Sequence, residues 1–184
     1  AGYQTEIYAA VIDERLPEGT AQPFDMMEKV EEDDIIIYHL STGHELNQKL
    51  KSLGGRKIIL YHNITPEKYF QKYNHGAYLN CRNGLREARE LAPVAEFAIA
   101  DSEYNKQDLI RYGYTCDIKV LPILIPFEDY EKKPNQKVIN KYGDDGYVNI
   151  LFTGRVVPNK KQEDIIDAFY YYKKFINPKS RLIL

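Results

Sequence analysis

Short apolar runs alternate with longer amphipathic segments along this chain. The runs are rich in Ile, Leu and Val, and they cover residues 5–12, 34–40, 57–62, 96–100, 118–121, 148–153 and 181–184. Most of them are nearly continuous and do not alternate strictly between apolar and polar positions, a pattern typical of parallel strands that are buried on both faces. The pattern therefore predicts a parallel β-sheet.

Helical periodicity fills the intervals between these runs. Apolar residues recur at helical spacing over residues 45–53, 83–91, 103–112 and 162–176. Ser102 is placed to cap the third of these helices and Gly113 to end it. Strand–helix–strand units have right-handed crossovers, so the predicted fold is α/β, with Rossmann-like parallel sheets that are open and doubly wound.

A polar segment, residues 126–147, interrupts the pattern after the fifth apolar run. It holds two prolines and a Gly-Asp-Asp-Gly turn, and it is interpreted as a linker with a short helix over residues 134–142. Residues 1–125 then form a first domain, which lacks the first strand and helix of a nucleotide-type domain. Residues 148–184 begin a second domain and are too few to bury a core alone. We expect the chain to be the middle of a longer two-domain protein, truncated at both ends.

The charge balance and the cysteine content exclude several classes of protein. Among 184 residues, 25 Lys and Arg stand against 27 Asp and Glu, a net charge of −2, whereas a protein that binds nucleic acid in bulk is usually far more basic. The two cysteines, Cys81 and Cys116, have no metal-binding or disulfide-framework spacing. No apolar run approaches the roughly 20 residues of a membrane span and no leader pattern opens the chain, so the expected location is the cytoplasm.

The segment with the clearest chemistry is residues 152–164 (FTGRVVPNKKQED), where a predicted strand gives way to a predicted helix. Gly154 allows a turn without a Cβ, and the helix that follows offers free N–H groups. Arg155 and Lys160 add a guanidinium fork and an ammonium point charge, a combination that suits a diphosphate. A solvated basic loop before an ordinary helix would contain the same residues, so composition leaves both interpretations open.

Two histidines lie where predicted strands end, at the carboxyl edge on which open α/β sheets bind ligands. His62 is a candidate to orient a substrate hydroxyl or to relay a proton, and His39 is a candidate to contact an acceptor. The further candidates at this edge are small or polar residues of the loops: Ser41, Gly43, Asn63 and Ser102. The same residues have a simpler interpretation. The histidines would have no chemical role, and the polar loop residues would be ordinary helix caps, with Ser41 or Thr42 as the N-cap of the helix that follows. These assignments therefore stay open.

Three segments resemble a known family of enzymes. Residues 154–169 (GRVVPNKKQEDIIDAF) resemble the segment that opens the donor domain of group 1, family four, glycosyltransferases of the GT-B fold. Residues 100–114 (ADSEYNKQDLIRYGY) and 61–70 (YHNITPEKYF) resemble two segments of the acceptor domain, and the order and spacing agree. Lys161 departs from the pattern, because many relatives have glycine there.

The resemblance implies a retaining glycosyltransferase that moves a hexose from a nucleotide-diphosphate sugar to an acceptor, as in polysaccharide biosynthesis. It also implies a GT-B architecture, in which two Rossmann-like domains face each other across a cleft. Gly154, Arg155 and Lys160 would bind the donor diphosphate and stabilise the leaving group. His62 would be the catalytic residue near the reacting sugar.

The resemblance also implies which partners and cofactors to expect. Enzymes of this fold usually work without a metal, and the chain has no Asp-x-Asp pair, so neither a metal nor another cofactor is expected. The expected partners are the nucleotide sugar and a saccharide, lipid-linked or protein acceptor. Peripheral contact with a membrane stays open, since such enzymes often dock on one. Residues that hold the donor sugar would lie beyond residue 184, so the chain alone is expected to be inactive.

A different class of protein explains part of the same pattern. A non-catalytic α/β module, flavodoxin-like or regulatory, that binds a small ligand or a partner would show the alternation of strands and helices. It would leave the linker and the segment after it unexplained. The usual motifs of serine hydrolases, zinc proteases and P-loop proteins are absent from the sequence.

Overall fold

A computed structural model describes residues 2–27, 29–143 and 145–184 of the chain. Its strands are β1 (Tyr8–Ala9), β2 (Gln22–Pro23), β3 (Ile35–Leu40), β4 (Arg56–Tyr61), β5 (Phe97–Ala100), β6 (Asp117–Val120), β7 (Val148–Leu151) and β8 (Ser180–Ile183). Its helices are α1 (Glu45–Ser52), α2 (His75–Leu91), α3 (Glu103–Arg111), α4 (Gln136–Tyr142) and α5 (Gln162–Phe175). The chain divides into two compact units, the first made of Ala1–Ile64 and Asn80–Pro122, the second of Thr65–Leu79 and Ile123–Leu184.

The first unit contains a four-stranded sheet in the order β3-β4-β5-β6, and every neighbouring pair is parallel. The prediction of an α/β fold with a Rossmann-like parallel sheet is confirmed. The order of the strands in space follows their order in the chain, so the right-handed crossovers all step in one direction. They therefore place α1, α2 and α3 on the same face of the sheet, where the hydrophobic core lies. The prediction that the sheet is doubly wound, with helices on both faces, is therefore wrong for the described sheet.

Burial alternates along the strands of this sheet. On the face toward the helices the side chains are completely buried at Leu40, Ile59, Tyr61, Ala98 and Ala100. On the opposite face of β3, Ile35 and Ile37 are 53% and 59% exposed. The prediction that the continuous apolar runs are buried on both faces is therefore wrong for β3. The composition of a run does not reveal which of its faces a helix covers, and β3 lies at an edge of the described sheet.

The caps of two helices in the first unit differ in how well the sequence predicts them. His44 is the N-cap of α1, and its Nδ1 accepts a backbone N–H of that helix at 3.2 Å. Neither Ser41 nor Thr42 therefore has the predicted capping role. Ser102 caps α3 as predicted, because its hydroxyl accepts a backbone N–H of the helix at 3.2 Å.

Helix α2 is longer than predicted and packs closely against the loop between β3 and α1. The helix predicted over residues 83–91 already begins at His75. A Cβ on Gly84 would come within 2.6 Å of the backbone nitrogen of Gly43, and a Cβ on Gly43 within 2.5 Å of the carbonyl oxygen of Asn80. Both glycines are therefore required where the loop crosses the helix.

The second unit contains the parallel pair β7-β8 together with α4 and α5. Helix α5 packs on β8, and its predicted apolar stripe is half-buried at Ile165, Phe169 and Tyr172. Ile176 also belongs to that predicted stripe, but it follows the end of α5 and is 64% exposed. The helix predicted over residues 134–142 is the shorter α4, with Asn135 as its N-cap.

The remaining elements are short. The strand predicted over residues 5–12 is reduced to β1, which pairs in parallel with β2. Single turns of 3-10 helix lie at Phe24–Met26, Glu67–Tyr69, Ala92–Val94, Phe127–Tyr130 and Pro158–Lys160. Within the described ranges, none of the helices has the length and apolar character that crossing a membrane requires.

Candidate functional site

Three polar side chains meet at the carboxyl edge of the four-stranded sheet. His39 lies near the end of β3, His62 directly follows β4, and Asp101 directly follows β5. Nδ1 of His39 lies 2.9 Å from Nε2 of His62, and Nδ1 of His62 lies 2.9 Å from Oδ2 of Asp101. The three side chains form one continuous hydrogen-bonded chain, which we call the His–His–Asp relay.

The two imidazoles of the relay meet edge to edge. Their ring centroids are 5.0 Å apart and their planes differ by 26°. The 2.9 Å between the two nitrogens, together with the distance from each nitrogen to the centre of its own ring, accounts for nearly all of the separation between the centroids. Both nitrogens therefore lie almost on the line between the centroids. This is the geometry in which a ring N–H of one histidine points at the lone pair of the other.

Exposure increases along the relay from Asp101 to His39. The side chain of Asp101 is 12% exposed and that of His62 is 28% exposed, whereas His39 is an exposed residue. Partial burial lowers the pKa of His39, the charge of His62 lowers it further, and the charge of Asp101 opposes both effects. Neutral His39 is therefore favoured.

The loop that follows His39 is fixed by side chains of α1 and α2. The side-chain amide of Asn47 donates to the carbonyl oxygen of Thr42 at 2.9 Å and to the buried carboxylate of Glu87 at 2.7 Å. Glu87 also accepts the backbone N–H of His44 at 3.1 Å, and Asn80 donates to the carbonyl oxygen of Gly43 at 2.8 Å. Because the backbone of this loop is tied at three successive residues, the end of β3 is held in place.

The other candidates at this edge have structural roles or lie apart from the relay. The hydroxyl of Ser102 is engaged in capping α3, and the space beside Gly43 is filled by the backbone of α2 rather than open to an acceptor. Ser41 is exposed. Asn63 follows His62 with a left-handed φ of 69°, a conformation that asparagine tolerates better than most residues.

Asp101 is missing from the predicted site residues, although a signal for it exists in the sequence. It directly follows the apolar run at residues 96–100 and therefore shares the edge on which His39 and His62 lie. A neighbouring carboxylate is also the usual partner that orients a functional histidine. Only the order of the strands in space shows that the Asp101 carboxylate reaches His62.

The basic loop of the second unit, residues 152–161, connects β7 to α5. Gln162 at the start of α5 donates its side-chain amide to the carbonyl oxygen of Arg155 at 2.8 Å, which ties the two ends of the loop together. Arg155 and Lys160 are exposed, and within the described part of the chain neither side chain has a hydrogen bond or an ion pair. The loop therefore presents two cations that have no counter-charge in the part of the chain that the structure describes.

Lys161 differs from these two cations in its conformation and in its partner. Its backbone is left-handed, with a φ of 51°, and it is the N-cap residue of α5. Its ammonium lies 3.0 Å from a carboxylate oxygen of Asp164, and that hydrogen bond, assisted by the charge of Asp164, raises the pKa of Lys161. Gly154 does not have a left-handed φ, and the left-handed residue of this loop is Lys161.

Comparison with protein-family models, with curated proteins and with solved structures finds no match to this chain. Among the residues that the structure describes, no group of three or more His, Cys, Asp and Glu side chains is arranged to hold a metal ion. The chemistry of the chain is therefore argued from the relay and the basic loop.

Proposed function

We propose that this protein is a retaining, metal-independent glycosyltransferase that moves a hexose from a nucleotide-diphosphate sugar to a saccharide, lipid-linked or protein acceptor. One observation carries the proposal. In the basic loop, Arg155 and Lys160 are exposed cations without a counter-charge among the described residues, between the carboxyl end of a parallel strand and a long helix. The resemblance of residues 154–169 to the donor segment of group 1 glycosyltransferases supports the same assignment.

A diphosphate suits this loop for reasons of charge and of shape. A guanidinium presents two parallel N–H groups to phosphate oxygens, and an ammonium adds a point charge. Hydrogen bonds to charged groups contribute about 1.5–3 kcal/mol each. Lys161 is paired with Asp164, whereas Arg155 and Lys160 have no ion pair among the described residues and are available to a ligand.

The same two cations would assist the chemical step. When the bond between the anomeric carbon and the diphosphate oxygen breaks, its electron pair leaves with the nucleoside diphosphate, and negative charge grows on that oxygen. Cations that are already in position stabilise the developing charge more than they stabilise the bound substrate, and this difference lowers the barrier. Arg155 and Lys160 would have that role.

The test is a calorimetric titration of the protein with UDP and with GDP. We expect binding in the micromolar range, and we expect Arg155→Ala or Lys160→Ala to weaken it at least about tenfold, or roughly 1.4 kcal/mol. Arg82→Ala is the matched control, because Arg82 is also exposed and has no described partner, but lies on α2. Unchanged affinity in the Arg155 and Lys160 variants would refute the diphosphate site.

Transfer itself is tested on the full-length gene product. We expect release of UDP or GDP from one of a panel of nucleotide hexoses to depend on an added acceptor, and to be lost in the Arg155 and Lys160 variants. Nucleotide binding without any release would instead favour the non-catalytic ligand-binding module.

A further inference from the structure

The His–His–Asp relay assigns different roles to its histidines from those that the sequence predicts. We propose that His39 is the residue that accepts a proton from a hydroxyl of the ligand, and that His62 and Asp101 are positioning residues that set its tautomer. The inference rests on the proposed function only for the identity of the ligand, a sugar hydroxyl. The family resemblance implies that His62 is the catalytic residue instead.

Both ring nitrogens of His62 are already engaged. Its Nδ1 faces Asp101 and its Nε2 faces His39, each at 2.9 Å, so neither nitrogen is left for a ligand. His39 uses only Nδ1 in the relay, and within the described residues its Nε2 has no hydrogen-bond partner. Because His39 is also the exposed end of the relay, its Nε2 is the nitrogen that a ligand can reach.

The hydrogen-bond order fixes which nitrogens carry protons. An ionised Asp101 can only accept, so the proton of neutral His62 lies on Nδ1 and its Nε2 is a lone pair. That lone pair requires the proton of His39 to lie on Nδ1, which leaves the lone pair of His39 on the outward Nε2. A neutral relay therefore presents an acceptor, and the natural partner of an acceptor is a hydroxyl rather than an anion.

The surroundings of His39 also favour an uncharged ligand. Leu60 lies beside His39 in the register of β3 and β4, and Ile99 lies beside Leu60 in the register of β4 and β5. Both side chains are half-buried on the face that the helices leave uncovered. An acceptor nitrogen beside apolar side chains, with the negative charge of Asp101 behind it, suits a neutral polyol better than a phosphate.

The proton transfer balances without any further reactant. The hydroxyl proton passes to Nε2 of His39, and the proton on Nδ1 of His39 moves to Nε2 of His62. His62 is then an imidazolium beside the carboxylate of Asp101, an arrangement that stabilises the new positive charge. The electron pair stays on the substrate oxygen. That oxygen bonds to the anomeric carbon on the face from which the diphosphate leaves, so the configuration is retained, and the diphosphate departs with the electron pair of the bond that breaks.

Nuclear magnetic resonance of ¹⁵N-histidine-labelled protein tests the tautomers directly. Two-bond proton–nitrogen spectra at about pH 8, where histidines are mostly neutral, should show His39 and His62 with their protons on Nδ1. His44 supplies an internal reference with its proton on Nε2, because its Nδ1 accepts a backbone N–H. A proton on Nε2 of His39 in the wild-type protein would overturn the inference.

Asp101→Asn should reverse both tautomers. The asparagine amide can donate to Nδ1 of His62, which moves the proton of His62 to Nε2 and makes the outward nitrogen of His39 a donor. The signals of His44 should not change, and they report that the variant is folded. Tautomers of His39 and His62 that are the same in the variant and the wild type would show that Asp101 does not set them.

Chemical modification gives a second readout that needs no variant. Diethyl pyrocarbonate acylates a free imidazole lone pair, so peptide mapping should find His39 modified and His62 protected. Modification of His62 as fast as His39 would contradict the proposed order of the relay.

These readouts separate this inference from the proposed function. If the tautomers are as expected but UDP and GDP do not bind, the relay stands and the glycosyltransferase assignment fails. If the nucleotides bind but the tautomers differ from those expected, the proposed roles of His39, His62 and Asp101 are refuted and the glycosyltransferase assignment is not. In the full-length enzyme, His39→Gln should lower the transfer rate by about 10²–10⁴-fold and leave the affinity for UDP or GDP unchanged.

Discussion

Two residues other than glycine have a left-handed backbone in the described part of the chain, and each adjoins a candidate site. Asn63 follows His62 in the relay, and Lys161 joins the basic loop to α5. A Cβ makes this conformation costly, least so for asparagine. Such residues persist only where the surrounding structure fixes them, and they are frequent at ligand sites.

Lys161→Gly should therefore stabilise the protein relative to Lys161→Ala. Both variants lose the ion pair with Asp164, but only glycine removes the steric cost of the left-handed φ. We expect the Tm of the glycine variant to exceed that of the alanine variant by about 2–4 °C, measured by calorimetry. An alanine variant as stable as the glycine variant would mean that the backbone at this position is not strained.

Stability should depend on pH through His39. Its folded-state pKa lies below its ordinary value because of burial first and the charge of His62 second. A histidine with a lowered pKa contributes stability that is complete above the unfolded pKa of about 6.5 and is lost as pH falls below that value. We expect the free energy of unfolding to fall more steeply between about pH 7 and pH 5 in the wild type than in His39→Gln.

Urea denaturation at several pH values measures this difference. His75→Gln is the control, because His75 lies outside the relay, at the start of α2. That variant should keep the slope of the wild-type protein. If His39→Gln also kept it, the lowered pKa of His39 would be disproved.

At the scale of the element, the crossing of α2 over the loop after β3 depends on the absence of two side chains. Gly43 and Gly84 bring the two backbones so close that a Cβ on either residue would overlap backbone atoms. Backbone atoms cannot rotate away as a flexible side chain can. The loop also makes the hydrogen bonds that hold the end of β3. A substitution at this crossing should therefore alter the position of His39.

Gly84→Ala should destabilise the protein by about 1–3 kcal/mol, because the helix or the loop must shift to accept the methyl group. Gly76→Ala is a matched substitution on the same helix, where the nearest atom to a new Cβ, the side-chain oxygen of Asn74, is 3.5 Å away. It should stabilise the helix by about 0.5–1 kcal/mol. Urea denaturation of both variants tests the pair, and equal effects would rule out close packing at Gly84.

The elements differ in how far the sequence predicts them, and the reason is physical. Strands β3 to β6 and the cap at Ser102 follow from apolar runs and from a hydroxyl beside the first turn, which are local signals. The start of α2 at His75 is missed, because Gly76 and Gly84 are poor helix formers that the packing of α2 tolerates. The relay is half predicted: His39 and His62 end apolar runs, but their contact requires β3 and β4 to be neighbours.

At the scale of the whole molecule, each unit carries one candidate site at the carboxyl end of a parallel strand. The relay of the first unit combines neutral imidazoles with a carboxylate, which suits a hydroxyl. The basic loop of the second unit presents two cations without a partner among the described residues, and such cations suit an anion. The proposed transfer requires both chemistries, because a sugar hydroxyl must lose a proton while a diphosphate leaves with negative charge.

The agreement between strand order and chain order has a consequence for assembly. Each strand from β4 to β6 adds next to the one synthesised immediately before it, so no later segment has to insert between two strands that are already paired. Contacts between consecutive segments form with a smaller loss of chain entropy than distant ones. This sheet can therefore grow strand by strand as the nascent polypeptide leaves the ribosome, with β3 as its template.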